Sequence, residues 1–301
     1  MSETTKRRKV TIKHLMEKKA RKETISAIGV YDAPMAKIAD EVGFDMLING
    51  NGGPMSALGH QHPMGVLYEE QLALTKAVSR MAKYGFIVSH LPWMTYHKSK
   101  AQAIESGGRM IAEGGADAVK VEGNEHTAEY VAEMVRAGIP VVGHIGMQAS
   151  RKIEQSGYGK KGRTAEEARD IVRGARAFSE AGVCAFIIEQ VPNELTKYLA
   201  ETLPQPVIGV VAGRDGDGVY EISGDLVGYT SFRAPSHKRV FADVAPIIRD
   251  ALRQYSDESL AGNYPPKEFD LNMDPDEYKK FMHLVSDMDP DEYKKFMDLV
   301  S

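Results

Sequence analysis

The sequence predicts an α/β protein folded as a (β/α)8 TIM barrel with a C-terminal helical tail. Short β-rich runs alternate with longer amphipathic segments from Thr24 onward, the order of repeated βα units around a parallel sheet. Eight such runs can be counted, the number that closes a barrel. Several end in a group that can move a proton or hold a charge. A strand buried on both faces tolerates such a residue only at its end, where α/β enzymes build their active sites.

The strands are expected at Thr24–Tyr31, Phe44–Ile48, Phe86–His90, Ala118–Glu122, Pro140–His144, Ala185–Glu189, Pro206–Val211 and Gly218–Ile222. The helices between them are expected at Met35–Val42, Tyr68–Lys83, Lys98–Glu113, Thr127–Arg136, Ala165–Glu180 and Glu194–Thr202, with a final helix at Val240–Gln254. Gly43, Gly85, Gly115, Gly138 and Gly182 stand where left-handed helix caps are needed before the next strand. Between Val211 and Gly218 there is no room for a full helix, so either the seventh unit is abbreviated or the eighth strand lies elsewhere. A doubly wound open sheet is the alternative architecture. Against it, Val30-Tyr31-Asp32-Ala33-Pro34 follows the first strand in place of a glycine-rich phosphate loop.

Residues 1–23 read as an N-terminal segment, 24–268 as the barrel and 269–301 as a tail. The tail repeats itself: Met273–Ser286 recurs as Met288–Ser301 with His283 exchanged for Asp298. Each copy predicts a short helix with Asp274 or Asp289 as N-cap, proline in the first turn and Glu277 or Glu292 completing a capping box. Tyr278, Phe281, Met282 and Val285 then share an apolar face suited to docking on the barrel or on a neighbouring subunit; a duplication without a role is the other reading.

With 38 basic and 42 acidic residues and a formal net charge of −4, no global field favours nucleic acid or an anionic membrane, and a small-molecule substrate is expected. The single cysteine, Cys184, lies in an apolar run and predicts a buried, inert thiol. No apolar span reaches membrane length, and Lys6-Arg7-Arg8-Lys9 precedes no apolar signal core, so the protein is expected to be cytoplasmic with that basic run frayed in solvent.

Lys120 and Glu122, two apart on one strand, point to the same face and can hold a carboxylate, an oxyanion or a metal between them; a rim ion pair is the structural alternative. Glu189 ends an apolar run and suits a general base for a carbon-bound proton. His144, flanked by Gly143 and Gly146, can donate to a substrate oxygen, and His90 ends the third strand as a donor or metal ligand. His60 and His62 read as loop contacts.

Taken in order, these segments resemble the ketopantoate hydroxymethyltransferase (3-methyl-2-oxobutanoate hydroxymethyltransferase) family of the phosphoenolpyruvate mutase/isocitrate lyase superfamily, over residues 10 to 268. The resemblance rests on Val30-Tyr31-Asp32, Leu58-Gly59-His60, His90 to Tyr96, Val119 to Gly123, Gly143 to Gly146, Glu189 to Pro192 and Pro206 to Gly209. It implies a homo-oligomeric barrel enzyme, a decamer in the family, that moves a one-carbon unit from methylenetetrahydrofolate onto a branched 2-oxoacid, as in pantothenate biosynthesis. It further implies that a magnesium ion and Lys120 hold the 2-oxoacid, that Glu189 removes the proton beside its carbonyl, and that Glu122 and His144, the latter as a substrate contact, match the family's functional positions. The family uses magnesium, and here the sequence departs from it. Asn49-Gly50-Asn51 replaces a Gly-Asp-Ser whose aspartate binds the metal, and His90 replaces a second aspartate. The expectation is therefore either a softer metal at Glu122, His90 and Asn51, or a metal-free site in which His90 and Lys120 hold the enolate oxygen, with Asn51 among the substrate contacts. The alternatives are a superfamily C–C or C–P lyase or mutase on another 2-oxo or 2-hydroxy acid, and a non-catalytic binding or assembly barrel.

Overall fold

The computed structural model describes residues 7–231 and 239–286, together with Asp289, Asp291, Glu292 and Lys294. The chain divides into two compact units, Met1–Val244 and Ala245–Ser301. In the first, eight parallel strands close a barrel in sequence order: β1 (Ile25–Gly29), β2 (Met46–Asn49), β3 (Phe86–His90), β4 (Ala118–Glu122), β5 (Val141–Gly146), β6 (Ala185–Glu189), β7 (Val207–Val210) and β8 (Gly218–Ile222). The final pairing, Ile25 to Gly29 against Gly218 to Ile222, closes the ring and rules out the open sheet.

The first unit also holds α1 (Ile12–Ala20), α2 (Ala33–Val42), α3 (Gly52–Leu58), α4 (Tyr68–Met81), α5 (Lys100–Ala112), α6 (Ala128–Arg136), α7 (Ala165–Glu180), α8 (Asn193–Thr202) and α9 (Ser223–Leu226). Between β7 and β8 there is no helix, so the seventh unit is the abbreviated one and the eighth strand stands where the sequence places it. α1 and α3 escape the sequence pattern. One has a single fully buried residue, Leu15, and the other is built from Gly52-Gly53-Pro54, residues that ordinarily mark loops.

Strand parity divides the core. Ile25, Ala27, Met46, Ile48, Phe86, Val88, Ala118, Val142, Ala185, Ile187, Ile208, Val210 and Tyr220 fill the barrel interior, joined by Leu15. Their alternating neighbours, such as Leu47, Ile87, Val119, Val121, Val141, Phe186 and Ile188, pack against the helices. Because side chains alternate along a strand, Lys120, Glu122, His144 and Glu189 continue the inner rows, above the apolar layers and at the C-terminal end.

The opposite end is closed by a repeated device. Asp45, Asp117 and Asp217 each stand one residue before an even-numbered strand, and each accepts the backbone N–H of the preceding strand: Ser26 at 2.8 Å, Ile87 at 2.7 Å and Val207 at 2.8 Å. The same carboxylate oxygens receive Lys18, Lys9 and Lys19 at 2.6 Å. The corresponding position before β6 is Cys184, whose thiol burial pushes up to about 12, in keeping with an inert group.

Two local expectations are corrected. Gly43, Gly115, Gly138 and Gly182 adopt the left-handed conformation, whereas Gly85 does not. Gly85 is required by space, since a β-carbon there would stand 1.9 Å from Leu47 Cδ1. Nor is the basic run frayed from Arg7 onward. Arg7 stacks over Tyr84 at 5.0 Å and donates to the Asp40 carbonyl, and Lys9 donates to the Gly85 carbonyl at 2.6 Å. Charge and backbone carbonyls fasten the segment to α2 and to the loop that enters β3; Lys6 lies outside the described residues.

The second unit carries α10 (Val244–Leu260), later in the chain than the expected Val240–Gln254, and α11 (Pro275–Ser286). The Tyr255 and Tyr264 rings meet edge to face at 5.0 Å. In the first repeat Asp274 caps α11 as expected, accepting from Asp276 and Glu277 at 2.9 and 3.3 Å. In the second, Asp289 accepts from Asp291 at 2.8 Å, and most of that copy lies outside the described residues.

Candidate active site

Six residues singled out by the sequence converge at the C-terminal end of the barrel. Register explains the convergence: His90 pairs with Lys120 across β3 and β4, and Glu122 with His144 across β4 and β5. Lys120 Nζ donates to His144 Nδ1 at 2.9 Å and lies 3.8 Å from Glu122 Oε1. Nδ1 also stands 3.4 Å from Glu122 Oε1, and the other ring nitrogen is Nε2. That nitrogen faces Glu189 Oε2 at 3.2 Å, close but not aligned for a full hydrogen bond.

Glu122 is the most fully engaged group. Asn51 Nδ2 donates to Oε1 at 2.5 Å and the Ser150 N–H to Oε2 at 2.9 Å, while Tyr96 holds the Glu122 carbonyl at 2.8 Å. Burial works to raise its pKa, but His144 and then Lys120 outweigh burial and hold the carboxyl well below its usual range. Lys120 is lowered by burial, an effect that the Glu122 and Glu189 carboxylates oppose. His90 is fully enclosed, both ring nitrogens lack a partner, and burial followed by the Lys120 charge depresses its pKa well below the ordinary value. It is a neutral imidazole.

A cavity of about 250 Å3 opens above this cluster, with Asn51, Lys120, His144 and Glu189 in its wall. Glu122 and His90 lie outside the wall, so of the two expected enolate holders Lys120 alone faces the cavity directly. The β5–α7 connection contributes Met147, Ala149 and Tyr158. Gln190 and Val211, immediately after β6 and β7, take left-handed backbone angles of 50° and 52° in the same wall. A branched valine there is strained, and such strain concentrates at binding sites.

Sequence reasoning missed three supports. Asn49, Gln71, Thr75 and Ser89 form a buried network, with Asn49 to Thr75 at 3.0 Å and Thr75 to Ser89 at 2.7 Å, which locks α4 against the ends of β2 and β3 just before Asn51 and His90. The spacing of Gln71 and Thr75 on one helical face was the available signal. Ser150 acts through its backbone, which leaves no trace in residue type. Tyr220, whose ring also forms part of the cavity wall, looks like any aromatic in a strand. His60 proves a loop contact, 3.0 Å from Glu70.

Among the described residues no cluster of three His, Cys, Asp or Glu side chains is placed to hold a metal ion. None of their helices is long and apolar enough to cross a membrane.

Among solved structures, phosphonopyruvate hydrolase in complex with oxalate and Mg++ superposes with a TM-score of 0.56 at 14% identity, covering 91% of this chain and 97% of that one. For 2,3-dimethylmalate lyase, a PEP mutase/isocitrate lyase superfamily member, the TM-score is 0.52 at 14% identity, with 96% and 98% covered. At such identities the likeness establishes the barrel fold alone. The 3-methyl-2-oxobutanoate hydroxymethyltransferase of Thermoanaerobacter sp. (strain X514) is 38% identical over 271 residues, which cover 90% of this chain and 99% of the relative. With the ketopantoate hydroxymethyltransferase family model also matching residues 9–267, the chain belongs to the ketopantoate hydroxymethyltransferase family, a family of transferases.

Proposed function

We propose that this protein forms the enolate of a branched 2-oxoacid and joins it to a one-carbon unit supplied by methylenetetrahydrofolate. The observation that carries the reading is the relay in one cavity wall: Lys120 Nζ to His144 Nδ1 at 2.9 Å, and His144 Nε2 to Glu189 Oε2 at 3.2 Å. A 2-oxoacid whose carbonyl oxygen meets the Lys120 ammonium presents its neighbouring carbon to Glu189. The carboxylate takes that proton, and the electron pair moves onto the carbonyl oxygen as the enolate. His144 stands between Lys120 and the Glu189 carboxylate, with Nε2 3.2 Å from Oε2, and Lys120 stabilises the developing oxyanion. Methylenetetrahydrofolate gives up its one-carbon unit with water as a formaldehyde-level electrophile and leaves as tetrahydrofolate. The enolate carbon attacks that carbon, the C=O electron pair moves onto its oxygen, and the resulting alkoxide takes the proton held by Glu189 to become the new hydroxymethyl group. A homo-oligomer, of decamer size by the family pattern, belongs to the same proposal.

The residues do not fit magnesium. That ion asks for about six oxygens at roughly 2.0–2.1 Å, commonly anchored by carboxylates. Glu122 is the one carboxylate beside Asn51 and His90, both its oxygens already accept hydrogen bonds, and an ammonium lies 3.8 Å away. The unpartnered lone pairs are those of the buried Asn51 amide oxygen and the neutral His90 ring, and the imidazole suits metals such as zinc better than magnesium. No step of the proposed reaction is therefore assigned to a metal.

The test is deuterium entry beside the carbonyl of 3-methyl-2-oxobutanoate in heavy water, followed by NMR without any one-carbon donor. The native protein is expected to catalyse exchange, and Glu189→Gln to slow it by about 10²–10⁴-fold, the usual contribution of a general base. Absence of exchange in the native protein would overturn the reading.

A further inference from the structure

Tyr220 occupies the inner row of β8, paired with Ala27 of β1, and is buried except where it meets the cavity. Its hydroxyl oxygen is 3.1 Å from the point where a β-carbon on Gly50 would stand and 3.2 Å from the corresponding point on Gly29. Lys120 Cε lies 4.0 Å from that same point on Gly50. The phenol oxygen and the lysine stem thus crowd one spot at the barrel mouth, and two glycines leave the space for them. Any side chain at position 50 would have to displace the hydroxyl.

The arrangement supplies something the rest of the cluster lacks. The Lys120 charge is shared between Glu122 and Glu189, and both compete with a bound anion for it. Among the described residues no protein group takes the Tyr220 hydroxyl's hydrogen bond. Burial, then the Glu189 charge, raises the phenol's pKa, so the group stays protonated and remains a donor. Tyr31 is the contrast: its hydroxyl is as close to Gly29, at 3.1 Å, yet it lies outside the wall of the Lys120 cavity.

We infer that the Tyr220 hydroxyl is a catalytic hydrogen-bond donor to the enolate oxygen of the 2-oxoacid, acting beside Lys120 over the side-chain-free surface of Gly50. The inference rests on the enolate reading above and deepens it. A preorganised neutral donor gains strength as negative charge grows on its acceptor, so its effect falls on the reaction step more than on ground-state binding.

The experiment compares Tyr220→Phe with the native protein in the deuterium exchange assay at saturating 3-methyl-2-oxobutanoate, with Tyr31→Phe as the control. Tyr220→Phe is expected to slow exchange by about 10²-fold, the typical loss on removing one oxyanion donor, with KM little changed. Inhibition by oxalate, a planar dianion shaped like an enolised 2-oxoacid, should weaken in parallel. Tyr31→Phe should leave both near native values, which a merely structural role for buried phenols in this region would not do. Native exchange that persists undiminished in Tyr220→Phe would overturn this inference alone. Absence of exchange in the native protein would overturn the enolate reading and this one with it. Equal losses in the two variants would assign the hydroxyl a packing role and also overturn the inference.

Discussion

At the N-terminal end of the barrel, Asp45, Asp117 and Asp217 each bind one lysine and one strand N–H, and each carboxylate stays partly exposed. At the C-terminal end a single lysine serves two carboxylates with a histidine between them. There Lys120, Glu122 and His144 are each no more than 3% exposed, and the His90 nitrogens, Asn51 Oδ1 and the Tyr158 hydroxyl lack partners. Both ends use Lys with Asp or Glu on parallel strands, so composition alone does not tell them apart. Saturation does: paired groups that bond the backbone hold the fold, whereas enclosed groups with spare donors and acceptors are free to engage a substrate.

The sharpest way to break the comparison is Lys120→Met. Removing the cation leaves Glu122 buried beside a second carboxylate, and a loss of about 3–5 kcal/mol is expected in urea unfolding, together with loss of deuterium exchange. Native-like stability in this variant would mean that Asn51 and Ser150 alone satisfy Glu122. Asp45→Asn at the other end should cost less, about 1–3 kcal/mol, because it weakens a lysine contact and a backbone bond in a partly solvated place. Exchange per folded molecule should stay at the native rate, and a fall would show that the two ends are not independent.

The smallest expected effect is a pH dependence. The folded state keeps His90 neutral while the unfolded chain protonates it near about pH 6.5, so its pKa is depressed on folding. Its contribution to stability is present above that value and is lost as the pH falls, at up to about 1.4 kcal/mol per pH unit. His90→Gln should remove that slope from urea midpoints measured between about pH 7 and 5. An unchanged slope would assign it to other groups.

Much of this architecture was legible because parallel strands buried on both faces must be short apolar runs. β3, β4, β6 and β8 have the same limits in sequence and structure. The left-handed glycines at Gly43, Gly115, Gly138 and Gly182 were legible, whereas Gly59 was not, and Gly85 was misread because its reason is the Leu47 side chain from another strand. In the site, Lys120, Glu122, His144 and Glu189 were legible from period-two spacing and strand-end position. Tyr220 was not, since its meaning depends on Gly29 at the end of β1 and Gly50 just after β2, which no local pattern connects to β8.

The sequence by itself determined the class of fold, the row on which each charged residue lies, and that Asn51 and His90 stand where the resemblance implies two aspartates. These follow from local periodicity and residue chemistry. Only the tertiary structure decided that Glu122 is saturated by Asn51 and Ser150, that His144 links Lys120 to Glu189, and that a phenol stands over Gly50. Those relations are distances across a closed ring of strands. They are set by barrel register and side-chain packing, which join residues far apart in the chain.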